Sequence, residues 1–120
     1  MKPTGPTNPV TKKLIAELEI VSKKAKAPIW KDIARRLSKS TRRIPSVNVD
    51  RLERYCKEKE TVIIPGKLLS RGNITKPLTV AAFKFSAAGK KKVENAGGRA
   101  ITIQELIKKS PKGSNIRIIG

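Results

Sequence analysis

The side chains with the clearest chemical capacity in this sequence are clustered cations. Between Ile33 and Val49 the chain carries five basic residues and no acidic one. A guanidinium group presents a planar fork of donors that matches two phosphate oxygens, so dense arginines without carboxylates favour phosphate binding. The basic residues of this stretch are Arg35, Arg36, Lys39, Arg42 and Arg43.

A second stretch, Thr61 to Val93, holds seven basic residues and again no acidic one. It ends in the run Lys90-Lys91-Lys92, for which two interpretations compete: a solvated helix face, or a set of phosphate contacts. The charge of the whole chain favours contacts. The predicted phosphate contacts come from these two stretches, with Lys31 and Lys112 added and Lys76 left out. They are Lys31, Arg35, Arg36, Lys39, Arg42, Arg43, Lys67, Arg71, Lys84, Lys90, Lys91, Lys92 and Lys112.

Two glycines lie among these cations. Pro65-Gly66-Lys67 resembles a fragment of a phosphate-binding loop, but the full spacing G-x-x-x-x-G-K-[ST] is absent from the sequence. Gly66 and Gly72 would permit close approach of backbone to a phosphate, or they serve turns alone. Both interpretations stay open at this point.

Catalytic chemistry is poorly supported. The chain has no histidine, the commonest general base, and its single cysteine, Cys56, excludes an internal disulfide. A zinc site has no plausible ligand set, so neither a metal nor a cofactor is predicted, and Cys56 is expected to be a buried, neutral thiol. An RNA-modifying or RNA-cleaving enzyme that relies on Lys, Asp32 or Asp50 is the weakest hypothesis, and the prediction is that the protein is not an enzyme.

The overall charge points to a polyanionic partner. The 120 residues include 28 Lys and Arg against 9 Asp and Glu, a net charge of +19, spread over both halves. No apolar run reaches the roughly 20 residues that span a bilayer, and no signal-peptide pattern opens the chain. A cytoplasmic location is expected, without a membrane or small-molecule partner.

The four aromatic rings are expected to fill the core rather than stack on bases, which favours recognition of RNA backbone and shape. The rings are Trp30, Tyr55, Phe83 and Phe85.

Residues 1–9 are predicted to form an extended, Pro-rich basic arm, and residues 10–120 one RNA-binding α/β domain. The arm is either a flexible terminus or a segment that threads into RNA grooves. Asn8 and Pro9 are typical of the start of a helix, which should end near Lys26. A second helix is predicted from Pro28, with an apolar stripe at Ile29, Ile33 and Leu37.

Short strands and short helices should alternate after these helices. Val47–Cys56 and Ile101–Lys109 share a strand-cap-helix pattern, with Asn48 and Thr102 at the caps; Thr102 and Glu105 match a capping box. A strand over Thr61–Ile64 is predicted to stop at a Pro65-Gly66 turn, followed by a basic turn region, Lys67–Asn73. The remaining predictions are a strand over Leu78–Lys84, a Ser86-capped helix to Asn95, a strand over Arg99–Thr102 and a final strand over Ile116–Ile119. This order indicates an α/β fold.

Several of these segments, in this order, resemble the archaeal form of the large-subunit ribosomal protein family L-eighteen-e. The matching residues are Val62–Leu69, Leu78–Ser86, Ala96–Gly98 and Pro111–Gly120, with Thr7-Asn8-Pro9 and Trp30 in support. The resemblance implies a core like the C-terminal domain of bacterial ribosomal protein L-fifteen, an irregular superhelix of β-β-α turns.

The resemblance also implies a function. It predicts a structural constituent of the large ribosomal subunit that binds large-subunit ribosomal RNA beside neighbouring ribosomal proteins, without catalytic activity. It carries over no contact residues, so those named above rest on charge and spacing. The alternative is a free nucleic-acid-binding module, such as a chromatin protein or an RNA chaperone, which the charge alone also permits.

Overall fold

Two helices open the part of the chain that the computed structural model describes, namely residues 9–39, 45–113 and 115–119. Helix α1 spans Pro9–Ala25 and helix α2 spans Pro28–Lys39. Lys26 takes the left-handed conformation, with φ 52°, and ends α1 as predicted. The Ser22 hydroxyl and carbonyl then bind the backbone of Ala27 at 2.9 and 3.0 Å, which fixes the turn into α2. The predicted cap Asn8 and the rest of the arm, residues 1–8, lie outside the described residues.

Strands and helices alternate from residue 46 onward. The elements are β1 (Ser46–Asn48), α3 (Val49–Tyr55), β2 (Thr61–Leu69), β3 (Thr79–Phe85), α4 (Ala87–Asn95), β4 (Arg99–Thr102), α5 (Ile103–Lys109) and β5 (Ile116–Ile118). The α/β class and the alternation of short strands with short helices are confirmed.

The strands form one parallel sheet in the order β1-β2-β3-β4, and β5 also pairs with β2. Strand β3 occupies one edge of β2. On the other edge, β5 pairs with Thr61–Ile63 and β1 with Lys67–Leu69, so these two short strands lie end to end. Because every pairing is parallel, the carboxyl ends of the strands share one edge of the sheet.

Helices cover both faces of the sheet. Side chains alternate along a strand, and in β2 Ile63 enters one buried cluster while Val62 and Ile64 enter the other. The first cluster contains residues of α1, α2 and α5, among them the fully buried Trp30. The second contains residues of α3 and α4, together with Cys56. The result is a three-layer arrangement with a core on each side of the sheet.

The predicted turn at Pro65-Gly66 is wrong. Strand β2 runs through both residues to Leu69, and its register against β3 shifts between Ile64 and Lys67. An irregularity of this kind accommodates a proline, which has no N–H to give to a ladder. Gly66 is buried, and a Cβ on it would collide with the carbonyl oxygen of Pro45. The glycine therefore serves a close approach inside the sheet, and the predicted basic turn region shrinks because Lys67–Leu69 belong to the strand.

Of the three predicted helix N-caps that lie within the described residues, two are confirmed. The Ser86 hydroxyl accepts a hydrogen bond from the Gly89 amide at 3.0 Å, and Thr102 and Glu105 form the reciprocal capping box at 3.1 Å. Asn48 occupies the N-cap of α3, but its side chain does not cap that helix. Its amide oxygen instead accepts a hydrogen bond from the Arg71 amide at 3.1 Å. The two strand-to-helix units, β1–α3 and β4–α5, are both present.

Candidate nucleic-acid interface

Two lysines lie side by side on adjacent strands near the carboxyl edge of the sheet. Lys67 on β2 and Lys84 on β3 are direct partners across the parallel pair, so their side chains leave neighbouring points of the sheet. Lys67 is half-buried and Lys84 is exposed, with its ammonium 5.7 Å from the centre of the Phe83 ring. Adjacent like charges repel, which makes this position a favourable one for a bound anion.

Pro45 and Ser46 lie next to this pair of lysines. The predicted contacts Arg42 and Arg43 lie outside the described residues, which resume at Pro45. The Pro45 carbonyl accepts a hydrogen bond from the Lys67 amide at 2.8 Å, and the next residue, Ser46, pairs with Lys67. Pro45 and Ser46 therefore lie directly beside Lys67.

The cations of α2 have a different environment. Lys31 and Arg35 are exposed, and the side chain of Lys39 is outside what the structure describes. Asp32 lies one helical turn before the two arginines, and its carboxylate contacts Arg35 at 3.0 Å and Arg36 at 3.5 Å. Partial desolvation acts to raise the pKa of Asp32, but the hydrogen bonds and charges of the two arginines hold it below its usual value.

A groove of about 520 Å³ runs between α1 and α2 beside these charges. Its lining mixes apolar residues with both signs of charge, including Ile15, Glu19, Lys31 and Asp32. Such a mixture gives no uniform positive potential, and the groove is therefore less suited to a polyanion than the carboxyl edge of the sheet.

The three consecutive lysines of α4 differ from one another. Lys90 and Lys91 are exposed to solvent. Lys92 is half-buried, and its ammonium donates to the carbonyl oxygens of Ser70 at 2.7 Å and Gly72 at 2.6 Å. A helix turns about 100° per residue, so only one of three neighbouring side chains faces the β2–β3 connection.

That connection, residues 70–78, holds Arg71 in place by its backbone. The Arg71 carbonyl accepts a hydrogen bond from the Asp50 amide at 3.2 Å, while its own amide binds Asn48. Its side chain is exposed. Further along, Thr75 donates to the Glu53 carboxylate from its amide at 2.9 Å and its hydroxyl at 2.8 Å. These bonds, the Thr75 amide first, lower the pKa of Glu53.

Lys112 lies beyond α5 and is exposed. The turn that carries it is fixed by Trp30, whose ring N–H donates to the Pro111 carbonyl at 2.7 Å.

The aromatic rings mostly fill the core, as predicted: Trp30 is fully buried, and Phe83 and Phe85 pack against the two clusters. Tyr55 is the exception, with 54% of its surface exposed.

The opposite edge of the sheet contains an ion pair. Arg117 on β5 donates from Nε to the Glu60 carboxylate at 2.9 Å, and the Lys57 amide donates to the same oxygen at 3.0 Å. The Arg117 hydrogen bond is the first cause that lowers the pKa of Glu60. Here an arginine of β5 binds the residue that precedes β2, so some of the excess basic residues stabilise the fold.

The described residues lack two features that are typical of other functions. Among the described residues, no group of three or more His, Cys, Asp or Glu is placed to hold a metal ion. Within the same ranges, no helix has the length and apolar character needed to cross a membrane. Cys56 is buried, as predicted, and desolvation raises the pKa of its thiol.

Comparison with known proteins shows the family. Residues 2–120 match the family described as ribosomal protein 60S L18 and 50S L18e. A large ribosomal subunit protein eL18 from Methanopyrus kandleri is 47% identical over 122 residues, covering 98% of this chain and 96% of the relative. Its counterpart from Methanococcus maripaludis is 45% identical over 99% of both chains. The one from Archaeoglobus fulgidus is 45% identical over 94% of this chain and 97% of the relative.

These relatives are archaeal, in agreement with the resemblance seen in the sequence, and the match covers every element described above. The family consists of structural proteins of the ribosome and not of enzymes, as the lack of a catalytic constellation in the sequence predicts. The chain belongs to the family of ribosomal proteins that comprises 60S L18 and 50S L18e.

Proposed function

We propose that this protein binds folded large-subunit ribosomal RNA through phosphate-backbone and shape contacts, and thereby stabilises the fold of that RNA. The coarser role, a structural constituent of the large ribosomal subunit in the cytoplasm, follows from the family. Neighbouring large-subunit proteins are its further partners.

The observation that carries the proposal is the pairing of Lys67 with Lys84. Neither makes an ion pair with a carboxylate among the described residues. Two lysines at neighbouring positions of the sheet, without a carboxylate partner, destabilise the free protein slightly, and this repulsion is relieved when phosphates approach. Arg71, Lys90 and Lys91 are exposed on segments that follow the carboxyl ends of β2 and β3, and they add positive charge to the segments that leave this edge of the sheet.

The other predicted cations enter the proposal with unequal support. Lys31, Arg35 and Arg36 form a second surface on α2, where Asp32 compensates part of the charge, and Lys39 follows them in the sequence. Arg42 and Arg43, which lie outside the described residues, are included because Pro45, two positions after Arg43, accepts a hydrogen bond from the Lys67 amide. Lys112 is included because it is exposed on a fixed turn. Lys92, also predicted from the sequence, has the least support as a phosphate contact, because its ammonium already binds two carbonyl groups.

Recognition by backbone and shape is supported by the placement of the rings. Three of four are in or against the core, which leaves Tyr55 as the one ring with a largely exposed surface in the described ranges. Stacking on unpaired bases needs accessible aromatic platforms. Most of the binding free energy is therefore assigned to phosphate contacts, which do not read base identity.

The proposal is tested with a double variant, Lys67→Met with Lys84→Met, in titrations of deproteinised large-subunit RNA at several salt concentrations. Loss of two phosphate contacts should reduce the slope of log affinity against log salt by about two and weaken binding at low salt. The matched control is Lys23→Met with Lys24→Met, two exposed lysines at the end of α1.

If the two double variants lose affinity and slope equally, only net charge matters and the carboxyl-edge proposal fails. Duplex DNA provides a second comparison. Equal affinity for DNA and for large-subunit RNA would support a free nucleic-acid-binding module instead.

A further inference from the structure

The connection between β2 and β3 is unusual for parallel strands. Such strands normally need a crossover of a dozen or more residues, most often a helix. Here residues 70–78 return the chain from the end of β2 to the start of β3, because Thr61 pairs with Thr79. An extended return has no helical or sheet partners for its own backbone groups, and those groups must find donors and acceptors elsewhere.

Two ammonium groups connect this return to the helices beside it. Lys92 on α4 binds the carbonyls of Ser70 and Gly72 at its start. Lys76, within the return, binds the carbonyls of Glu53 and Cys56 at the end of α3, at 2.6 and 2.8 Å. An ammonium has three donors and no acceptor, so each lysine can satisfy two carbonyls. Both lysines are half-buried.

We propose that Lys92 is a positioning residue that clamps the start of the β2–β3 return, with Lys76 as a second clamp at α3. Arg71 lies between the two carbonyls that Lys92 holds. Lys92 therefore acts on the interface through Arg71 rather than through a phosphate of its own. The clamp is a property of the free protein. Its effect on RNA binding rests on the function proposed above.

Hydrogen bonds hold the backbone of Arg71, while its side chain is exposed to solvent. Its amide and carbonyl are both bonded, to Asn48 and Asp50. Gly72 follows with φ 90°, and a Cβ there would collide with the side chain of Asp50. Lys92, on α4, binds the carbonyl groups of the residues before and after Arg71. The Arg71 guanidinium is thus presented from a backbone held by α3, α4 and β1.

A reactivity experiment tests the clamp without any substitution. The wild-type protein, free of RNA, is treated briefly with an amine-acylating reagent, and modification is quantified at each lysine by peptide mass spectrometry. Lys92 and Lys76 should react about tenfold more slowly than Lys90 and Lys91, because their amines must first leave two charge-assisted hydrogen bonds. Equal rates at all four would overturn the clamp.

A pair of variants then separates clamping from phosphate contact. Lys92→Met should accelerate hydrogen exchange at the Arg71 and Asp50 amides, whereas Lys91→Met should leave exchange unchanged and lower the salt slope of RNA binding by about one. A Lys92→Met protein with unaltered exchange, and with the same loss of slope as Lys91→Met, would show that Lys92 is an ordinary phosphate contact.

The acylation rates and the hydrogen-exchange rates are independent of the proposed function. If the wild-type protein fails to bind ribosomal RNA, the RNA proposal fails while the acylation and exchange results still decide the clamp. If Lys92→Met does not fold, the acylation rates of the wild-type protein remain decisive.

Discussion

The basic surface of α2 and the carboxyl edge of the sheet both carry several cations, but they are built in different ways. The α2 cations come from one short stretch, and Asp32 contacts two of them. The carboxyl-edge cations come from β2, β3, the return and α4, and the pairing Lys67–Lys84 places like charges together. Density of charge along the sequence is therefore a poor guide to uncompensated charge in the folded protein.

The largest expected effect comes from breaking the geometry behind the carboxyl edge. Gly66→Ala places a methyl group against the Pro45 carbonyl, so backbone must shift. We expect the free energy of unfolding to fall by about 1–3 kcal/mol, with faster hydrogen exchange at the Lys67 amide. Chemical denaturation and exchange measure both quantities.

The control for Gly66→Ala is a one-methyl change that leaves the carboxyl edge intact. Ala16→Gly, at an exposed position of α1, should cost about 0.5–1 kcal/mol through helix propensity alone and leave Lys67 exchange as it was. Wild-type stability in Gly66→Ala would contradict the close approach at Pro45.

A smaller effect is expected from removing the compensation on α2. Asp32→Asn deletes the carboxylate that Arg35 and Arg36 contact. If α2 also meets RNA, affinity should rise several-fold and the salt slope should steepen by about one released counterion. Glu58→Gln is the matched control, because it removes one exposed carboxylate from the connection between α3 and β2, outside the groove between α1 and α2. Equal responses of the two variants would mean that α2 faces away from the RNA.

The smallest effect concerns pH. The pKa values of Asp32 and Glu53 are both lowered in the folded protein, Asp32 by arginine contacts that outweigh desolvation and Glu53 by hydrogen bonds from Thr75. A lowered folded-state pKa means that each carboxylate stabilises the fold above its unfolded pKa, near 4. That stabilisation is lost as pH falls through the folded pKa.

Salt should separate these two carboxylates. Added salt screens the arginine charges around Asp32, whereas the Thr75 hydrogen bonds to Glu53 depend less on ionic strength. Carboxyl NMR titrations at low and high salt should therefore show a larger upward movement of the pKa of Asp32 than of Glu53. Parallel movements would indicate that Glu53 is held by charge as well, through Lys76.

The helices and caps were predictable because their signals are local. Pro28 limits α1, and Thr102 with Glu105 defines the start of α5 within four residues. Pro65-Gly66 was misjudged because the dipeptide is typical of turns. What decides its conformation is the approach of Pro45, some 20 residues earlier, which local patterns do not encode.

In the candidate site, too, the sequence predicted the local features and missed the contacts between residues distant in the chain. The cations and their phosphate chemistry follow from composition, and Asp32 was within reach of a sequence argument because helical partners lie three and four residues apart. The pairing of Lys67 with Lys84 required the sheet register. The bonds of Lys92 join residues 20 and 22 positions apart, and nothing in the run Lys90-Lys91-Lys92 distinguishes its last member.

The most direct test of the carboxyl-edge assignment is lysine–RNA crosslinking in intact large subunits, with crosslinked peptides identified by mass spectrometry. The assignment predicts nucleotide adducts at Lys67 and Lys84, with Lys90 or Lys91 in addition, and few at Lys23 and Lys24. Adducts confined to α1 and α2, with Lys67 and Lys84 unmodified, would contradict it.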